Sequence, residues 1–203
     1  MVNTIIFDFG DVFINLEKQA VADAFKELGL EEFNDDLTEL NSKYEKGIIT
    51  ELQFLEGFQQ YIPFAGIEEI RTAWNKMIGE FPLYRLEFLQ LLSTKYRLFL
   101  LTNTDATHIS RFEHSVGMSF SGDFYRCFEK VYYSFEMGMR KPEPEIFRHI
   151  INQHDLSPRR TLFIDDKQEN TDAAQLLGLQ VWNLQAGKED VVDLFKKKII
   201  DPA

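Results

Sequence analysis

Three apolar runs of this chain end on groups that can do chemistry. Ile5-Ile6-Phe7 ends on Asp8, Leu98-Phe99-Leu100-Leu101 on Thr102-Asn103, and Leu162-Phe163-Ile164 on Asp165-Asp166. A fourth stretch, Arg140-Lys141-Pro142, adds two cations. Carboxylates gathered in one place repel one another, so they imply a bound cation or raised pKa values. Oxygen ligands favour a hard ion such as Mg²⁺. Thr102 and Asn103 precede a predicted helix, and their side chains and backbone N–H groups can donate to an anion. Lys141 supplies a positive charge for a phosphate or for the acids. The ensemble suits phosphoryl transfer, which needs charge neutralisation and an aligned nucleophile. Asp8 by itself would read equally well as a turn cap; it becomes the candidate nucleophile because the other stretches converge with it.

These groups need elements that bring them to one place. Strands are predicted at 4–7, 97–101, 130–134, 161–164 and 180–183, from short apolar runs bounded by polar residues. Helices are predicted at 82–95, from about 106 to 115, at 144–154, 170–177 and 189–198, with 120–128 helical or a turn. Strands alternating with helices imply an α/β fold: a Rossmann-like parallel sheet with helices on both faces. In such a sheet the carboxyl ends of the strands share an edge, where ligands bind. Between the first two strands the pattern is helical only, at 17–28, 33–46, 51–60 and 68–78. That is too long for a crossover and reads as a helical insert. The expected division is a core of 1–15 and 82–203 with an inserted helical bundle at 16–81.

Bulk properties narrow the function. The chain has 203 residues, 27% of them charged, and a formal net charge of -11, so general binding to nucleic acid or an anionic membrane is not expected. Its one cysteine, Cys127, allows neither an intrachain disulfide nor a multi-cysteine zinc site. The first strand begins by residue 4 with no cleavable leader ahead of it, and no apolar run reaches membrane-spanning length. A cytoplasmic protein, monomer or homodimer, is expected. Nineteen phenylalanines predict an aromatic-rich core.

Four stretches together resemble the motifs of the haloacid dehalogenase (HAD) superfamily, in order and at suitable spacing. They are Phe7-Asp8-Phe9-Gly10-Asp11-Val12, Leu101-Thr102-Asn103, Arg140-Lys141-Pro142-Glu143-Pro144, and Ile164-Asp165-Asp166 with Asn170. The resemblance spans the whole chain, and the insert is similar to the helical (C1) cap of that superfamily. The first motif resembles that of sugar-phosphate phosphatases reading Asp-x-Gly-x-Val, such as the glucose-1-phosphate phosphatase group. The resemblance implies a Mg²⁺-dependent phosphomonoester hydrolase acting on a small metabolite, a sugar or polyol phosphate. Asp8 would form an aspartyl-phosphate. The metal would sit on the Asp8 carboxylate, the Gly10 carbonyl and Asp166. Thr102 and the Asn103 backbone would hold phosphate oxygens, Lys141 would bridge Asp8 and the phosphate, and Asp165 and Asn170 would orient Lys141 or a water.

One position departs from the superfamily pattern. Most of its phosphatases carry a second aspartate two residues after the nucleophile, to protonate the leaving group and activate water. Here that position is Gly10, and an acid, Asp11, follows one residue later. Asp11 either replaces the missing acid or is a polar turn residue. Two rival readings follow: a haloacid dehalogenase, in which Asp8 attacks carbon without a metal, or a phosphate-binding regulatory protein with little turnover. Asp105 and His108 lie near the expected site edge and could contact substrate or cap a helix; His114, His149 and His154 read as ordinary helix residues. In the insert, Tyr44, Phe54, Phe58, Tyr61 and Trp74 read mainly as packing. The polar groups of Tyr44-Glu45-Lys46-Gly47 are the better candidates for specificity contacts.

Overall fold

The computed structural model describes residues 1–200. Its centre is a parallel sheet of β1 (Thr4–Phe7), β2 (Arg97–Thr102), β3 (Lys130–Tyr133), β4 (Thr161–Asp165) and β5 (Gln180–Asn183), in the order β3-β2-β1-β4-β5. The chain winds outward from β1 to β3, then crosses back to β4 and winds out the other way. The switch therefore falls between β1 and β4, where ligands of open α/β sheets bind. Register completes the placement. Phe7 aligns with Leu100 on one side and Ile164 on the other, so Asp8 and Asp165 leave the sheet side by side, with Thr102 on the neighbouring strand.

Both faces of the sheet are buried. Ile5, Phe7, Leu98, Leu100, Leu162 and Ile164 join one core cluster; the residues between them, Ile6, Phe99, Leu101 and Phe163, join another. This two-residue alternation explains why the strands read as continuous apolar runs. α5 (Leu83–Ser93) and α6 (Ala106–Arg126) cover the first face; α8 (Pro144–Gln153) and α9 (Gln168–Leu176) cover the second. The phenylalanine richness is spent largely on the first face, where Phe9, Phe13, Phe81, Phe112 and Phe124 form a network of tilted, edge-on and stacked rings.

Helices α1 (Lys18–Glu27), α2 (Asp35–Glu45), α3 (Glu51–Gln59) and α4 (Ile67–Trp74) have a core of their own, including Val21, Phe25, Leu37, Phe54, Phe58 and Trp74. Phe25 stacks on Phe58 with centroids 4.7 Å apart, and Tyr44 on Phe54 at 4.4 Å. The two strands of chain that join this bundle to the sheet run side by side. Asn15 N–H donates to the Glu80 carbonyl at 2.9 Å, Gly79 N–H to Asn15 at 3.0 Å, and Glu17 N–H to Met77 at 2.9 Å.

Three local expectations need correction. The segment after β3 does not extend the strand to Ser134 but turns into a short helix, α7 (Ser134–Met137), because the Ser134 hydroxyl is drawn into a buried bond with Thr104. The final predicted helix is a tighter 3-10 helix, Val191–Lys197, held at its start by the Asp190 side chain and carrying two β-branched valines. The residues at 106–115 and 120–128 form one run, α6, broken at Gly117, whose φ of 80° no ordinary helical residue adopts.

Candidate active site

Asp8, Asp165 and Asp166 come together at the switch between β1 and β4. Each offers an oxygen within 4.8 Å of the others. Lys141, from the loop before α8, lies among them with its side chain 1% exposed. Its Nζ is 2.6 Å from Asp165 Oδ2 and 2.9 Å from Asp8 Oδ1. Burial opposes the charge on Lys141, but Asp165 and Asp8 outweigh it and hold its pKa above the ordinary lysine value. Burial pushes the Asp8 carboxyl up to about 7, against the pull of Lys141 and with Asp165 and Asp166 adding to the rise. Asp166 is raised as well, first by burial and then by Asp165.

The acids differ in what they have left to bind. Asp165 is saturated. Its Oδ1 accepts from Lys167 N–H at 2.8 Å and Asn170 Nδ2 at 3.0 Å, and its Oδ2 accepts from Lys141 Nζ and again from Asn170 at 3.0 Å. Asp8 Oδ1 has the Lys141 charge 2.9 Å away but no aligned hydrogen bond. Among the described residues Asp166 is paired with Lys18 Nζ, 3.9 Å from its Oδ2. The buried Asp8 and the half-buried Asp166, both with lone pairs left and upward-pushed pKa values, fit a hard cation, while Asp165 takes the hydrogen bond of the lysine. Mg²⁺ bound there would neutralise this charge and the charge of a phosphate.

The second strand supplies the anion side. Thr102 is buried at the end of β2. The Asn103 side chain faces the lysine loop: Nδ2 donates to the Lys141 carbonyl at 2.8 Å and Oδ1 accepts from Lys141 N–H at 2.9 Å. Asn103 therefore clamps the backbone that carries Lys141. Thr104 and Ser134 make a second reciprocal clamp, Thr104 N–H to Ser134 Oγ at 3.0 Å and Ser134 Oγ to the Thr104 carbonyl at 3.1 Å.

Asp11 lies in a turn with φ 55°, and both its oxygens are engaged. Leu16 N–H donates to Oδ1 at 2.9 Å, and Lys18 Nζ to Oδ2 at 2.7 Å. It staples the turn that leads into α1. At Gly10, a Cβ would stand 2.7 Å from Leu16 Cδ1, so Leu16 fills the space an acid there would enter. Asp105 caps α6 through His108 N–H at 2.9 Å and also accepts from Trp74 Nε1 at 3.1 Å. His108 lies 3.1 Å from Asp105 through Nδ1 and 3.0 Å from the Trp74 carbonyl through Nε2, and stacks on the Trp74 ring. Burial opposes charge on both partners, yet the pairing holds His108 above and Asp105 below their ordinary pKa values. These two residues join the sheet to the helical bundle.

A cavity of about 200 Å³ opens over the site, between the strand ends and the bundle. Gly10, Thr102, Asn103 and His108 line it from the sheet side, Leu16 from the linker, and Lys18, Asn41, Glu45, Trp74, Met77 and Ile78 from the bundle and its exit. A haloacid dehalogenase-like hydrolase profile matches residues 2–178. The chain belongs to the haloacid dehalogenase-like hydrolases. A D-ribitol-5-phosphate phosphatase of Bacteroides thetaiotaomicron is 29% identical over 199 residues, 93% of this chain and 95% of the relative. A HAD family enzyme of the same organism superposes with a TM-score of 0.87 at 33% identity, covering 96% of this chain and 98% of that one. An aspartate-to-alanine variant of that enzyme, solved with magnesium and inorganic phosphate, gives 0.85 at 31%, covering 96% and 99%.

Every residue named from the HAD resemblance lies in this one region. Lys18, Asn41, Thr104 and Ser134 escaped the sequence reading. Asn41 could have been found as the polar partner of Glu45, one helical turn away on α2. The clamps at Asn103 and Ser134 left no pattern, because their partners are 38 and 30 residues away.

Proposed function

We propose that this protein is a Mg²⁺-dependent phosphomonoester hydrolase of a small polyol or sugar phosphate. The observation that carries the reading is the buried Asp8–Lys141–Asp165 array beside the half-buried Asp166, whose nearest cation is Lys18 at 3.9 Å. Asp8 Oδ attacks phosphorus, the bond to the leaving alkoxide breaks, and an aspartyl-phosphate forms on Asp8. Water then attacks phosphorus, giving its proton to the hydroxide left when the leaving alkoxide was protonated; the Asp8–phosphorus link breaks, Asp8 returns as a carboxylate, and inorganic phosphate leaves. Lys141 holds the charge of the phosphate against Asp8, Thr102 and the Asn103 backbone bind its oxygens, and Asp165 with Asn170 fixes Lys141. Asp8, the Gly10 carbonyl and Asp166 would hold the metal, which supplies charge neutralisation. With Gly10 in place of an acid and Asp11 engaged in its turn, the leaving group takes its proton from water in the cavity. Residues 16–81 act as a cap over this site, in a cytoplasmic monomer or homodimer.

The test is turnover of phosphorylated metabolites with Mg²⁺, pentitol phosphates first, using Asp8→Asn as the blank. Phosphate release that is lost in the variant, by on the order of 10³-fold or more, is expected. Hydrolysis surviving in Asp8→Asn, or surviving EDTA, would overturn the reading. The dehalogenase alternative needs no metal and leaves Asp166 without a role.

A further inference from the structure

The first helix of the bundle begins at the edge of the acid cluster. Lys18 is the first residue of α1. Its ammonium stands between two carboxylates, 2.7 Å from Asp11 Oδ2 and 3.9 Å from Asp166 Oδ2. Asp11 is fixed in place. Its side chain is 13% exposed, its Oδ1 accepts from Leu16 N–H, and its backbone keeps a φ of 55°. The lysine is therefore anchored by a held acid, although its own side chain is 59% exposed. The two carboxylates come from different elements, Asp11 from the turn after β1 and Asp166 from the end of β4, and Lys18 joins them. Burial and then Asp165 push Asp166 toward protonation; Lys18 opposes them, and more strongly than Lys167 does. Nothing in the proposed chemistry uses this lysine. Lys141 already serves Asp8 and Asp165.

We infer that Lys18 is a resident counter-ion of the metal site: anchored by Asp11, it shares Asp166 with the divalent cation, and its charge sets how tightly that cation is held. An ammonium and a divalent cation beside one carboxylate repel each other, so the lysine weakens metal binding. It also cancels the charge of Asp11, which would otherwise add to the attraction. In return, Asp11 and Asp166 have a cation between them whether or not a metal is bound. The contrast with Lys141 is one of burial. Lys141 is 1% exposed and its pairing is shielded from solvent, whereas the influence of Lys18 passes partly through water and is screened by salt. Lys18 acts on the metal through Asp166 and is a positioning residue. This inference rests on the Mg²⁺ site of the proposed phosphatase and names what tunes it.

The test is a calorimetric titration of MgCl₂ into wild type, Lys18→Gln and Lys18→Arg, at low and at high salt. Glutamine removes the charge and can still donate to Asp11; arginine keeps the charge. Lys18→Gln should bind Mg²⁺ about fivefold tighter than wild type or more at low salt, and the gap should narrow at high salt, as for an exposed charge. Lys18→Arg should stay within about twofold of wild type. Unaltered or weaker Mg²⁺ binding by Lys18→Gln overturns the inference, because the ammonium would then be indifferent to the metal or assist it. Equal tightening in Lys18→Arg also overturns it, since shape and not charge would be responsible. The rise in melting temperature at one fixed Mg²⁺ concentration is a second readout. It should be larger in Lys18→Gln than in wild type, and a smaller rise overturns the inference. Neither readout needs turnover. Tighter binding in Lys18→Gln with no ester hydrolysis by wild type supports the role of Lys18 while refuting the phosphatase.

Discussion

Lys141 keeps its charge in a place where almost no water reaches it. A buried cation is tolerable only when paired and hydrogen-bonded, and removing one partner leaves the others uncompensated. Lys141→Ala strands Asp8 and Asp165 together, so a loss of roughly 3–5 kcal/mol in unfolding free energy is expected by urea titration without metal. A loss under about 1 kcal/mol would mean the acids are solvated rather than locked. The Asp105–His108 pair gives a pH-dependent counterpart. His108 is raised, so its contribution is complete below its ordinary value of 6.5 and fades as pH rises through the folded value. Asp105 is lowered, so its contribution is complete above 3.8 and fades as pH falls through its folded value. The pair therefore stabilises most between 3.8 and 6.5. The stability gap between wild type and His108→Gln should be wide near about pH 6 and narrow by about pH 9. Equal gaps at both would refute the ion pair.

At the scale of elements, the contacts of α2 with α6 and with the loop before α8 decide how the helical bundle sits. Arg140 pairs with Glu45 and Glu143 with Lys46, while Tyr44 Oη meets Thr107 Oγ1 at 2.6 Å. Gly47 ends that helix at φ +64°, and a Cβ there would overlap the Phe135 carbonyl. The close approach and the left-handed backbone both require glycine. Gly47→Ala should cost roughly 1–3 kcal/mol in a denaturant melt and raise KM, because α2 carries Asn41 and Glu45, which line the cavity. A variant with unaltered stability and KM would show that α2 is not held by this contact. The linker pairing at Asn15 and Gly79 is the other fixed point, since it ties both passages between bundle and sheet into one ribbon.

For the whole molecule, three acids gathered at the sheet edge leave charge that a bound cation would neutralise. Asp8 and Asp166 are both pushed toward protonation by burial and by their neighbours. Binding to the native state alone stabilises by about 2.7 kcal/mol when Mg²⁺ is at 100 times its Kd. Adding Mg²⁺ should therefore raise the melting temperature, and Asp166→Asn should abolish the rise. A rise that persists in Asp166→Asn would place the ion elsewhere. Among the described residues no helix is long and apolar enough to cross a membrane.

Much of this was legible in the sequence for a physical reason. Strands buried on both faces must be apolar throughout, so β1, β2 and β4 stand out, and a charged or polar residue at their ends marks the sheet edge. The parallel order and the switch beside Asp8 then bring Thr102 and Asp165 to it, while Lys141 arrives on a loop whose backbone Asn103 holds. The roles within that cluster were decided only by the tertiary structure. Asp165 and Asp166 are neighbours in the chain, yet one is saturated by Lys141, Lys167 and Asn170 and the other is left open. For Asp11 the sequence left two readings, a replacement for the acid missing at position 10 or a polar turn residue, and the fold spends both its oxygens on Leu16 and Lys18. Hydrogen-bond saturation depends on where distant chain segments meet, and spacing along the chain does not carry that information.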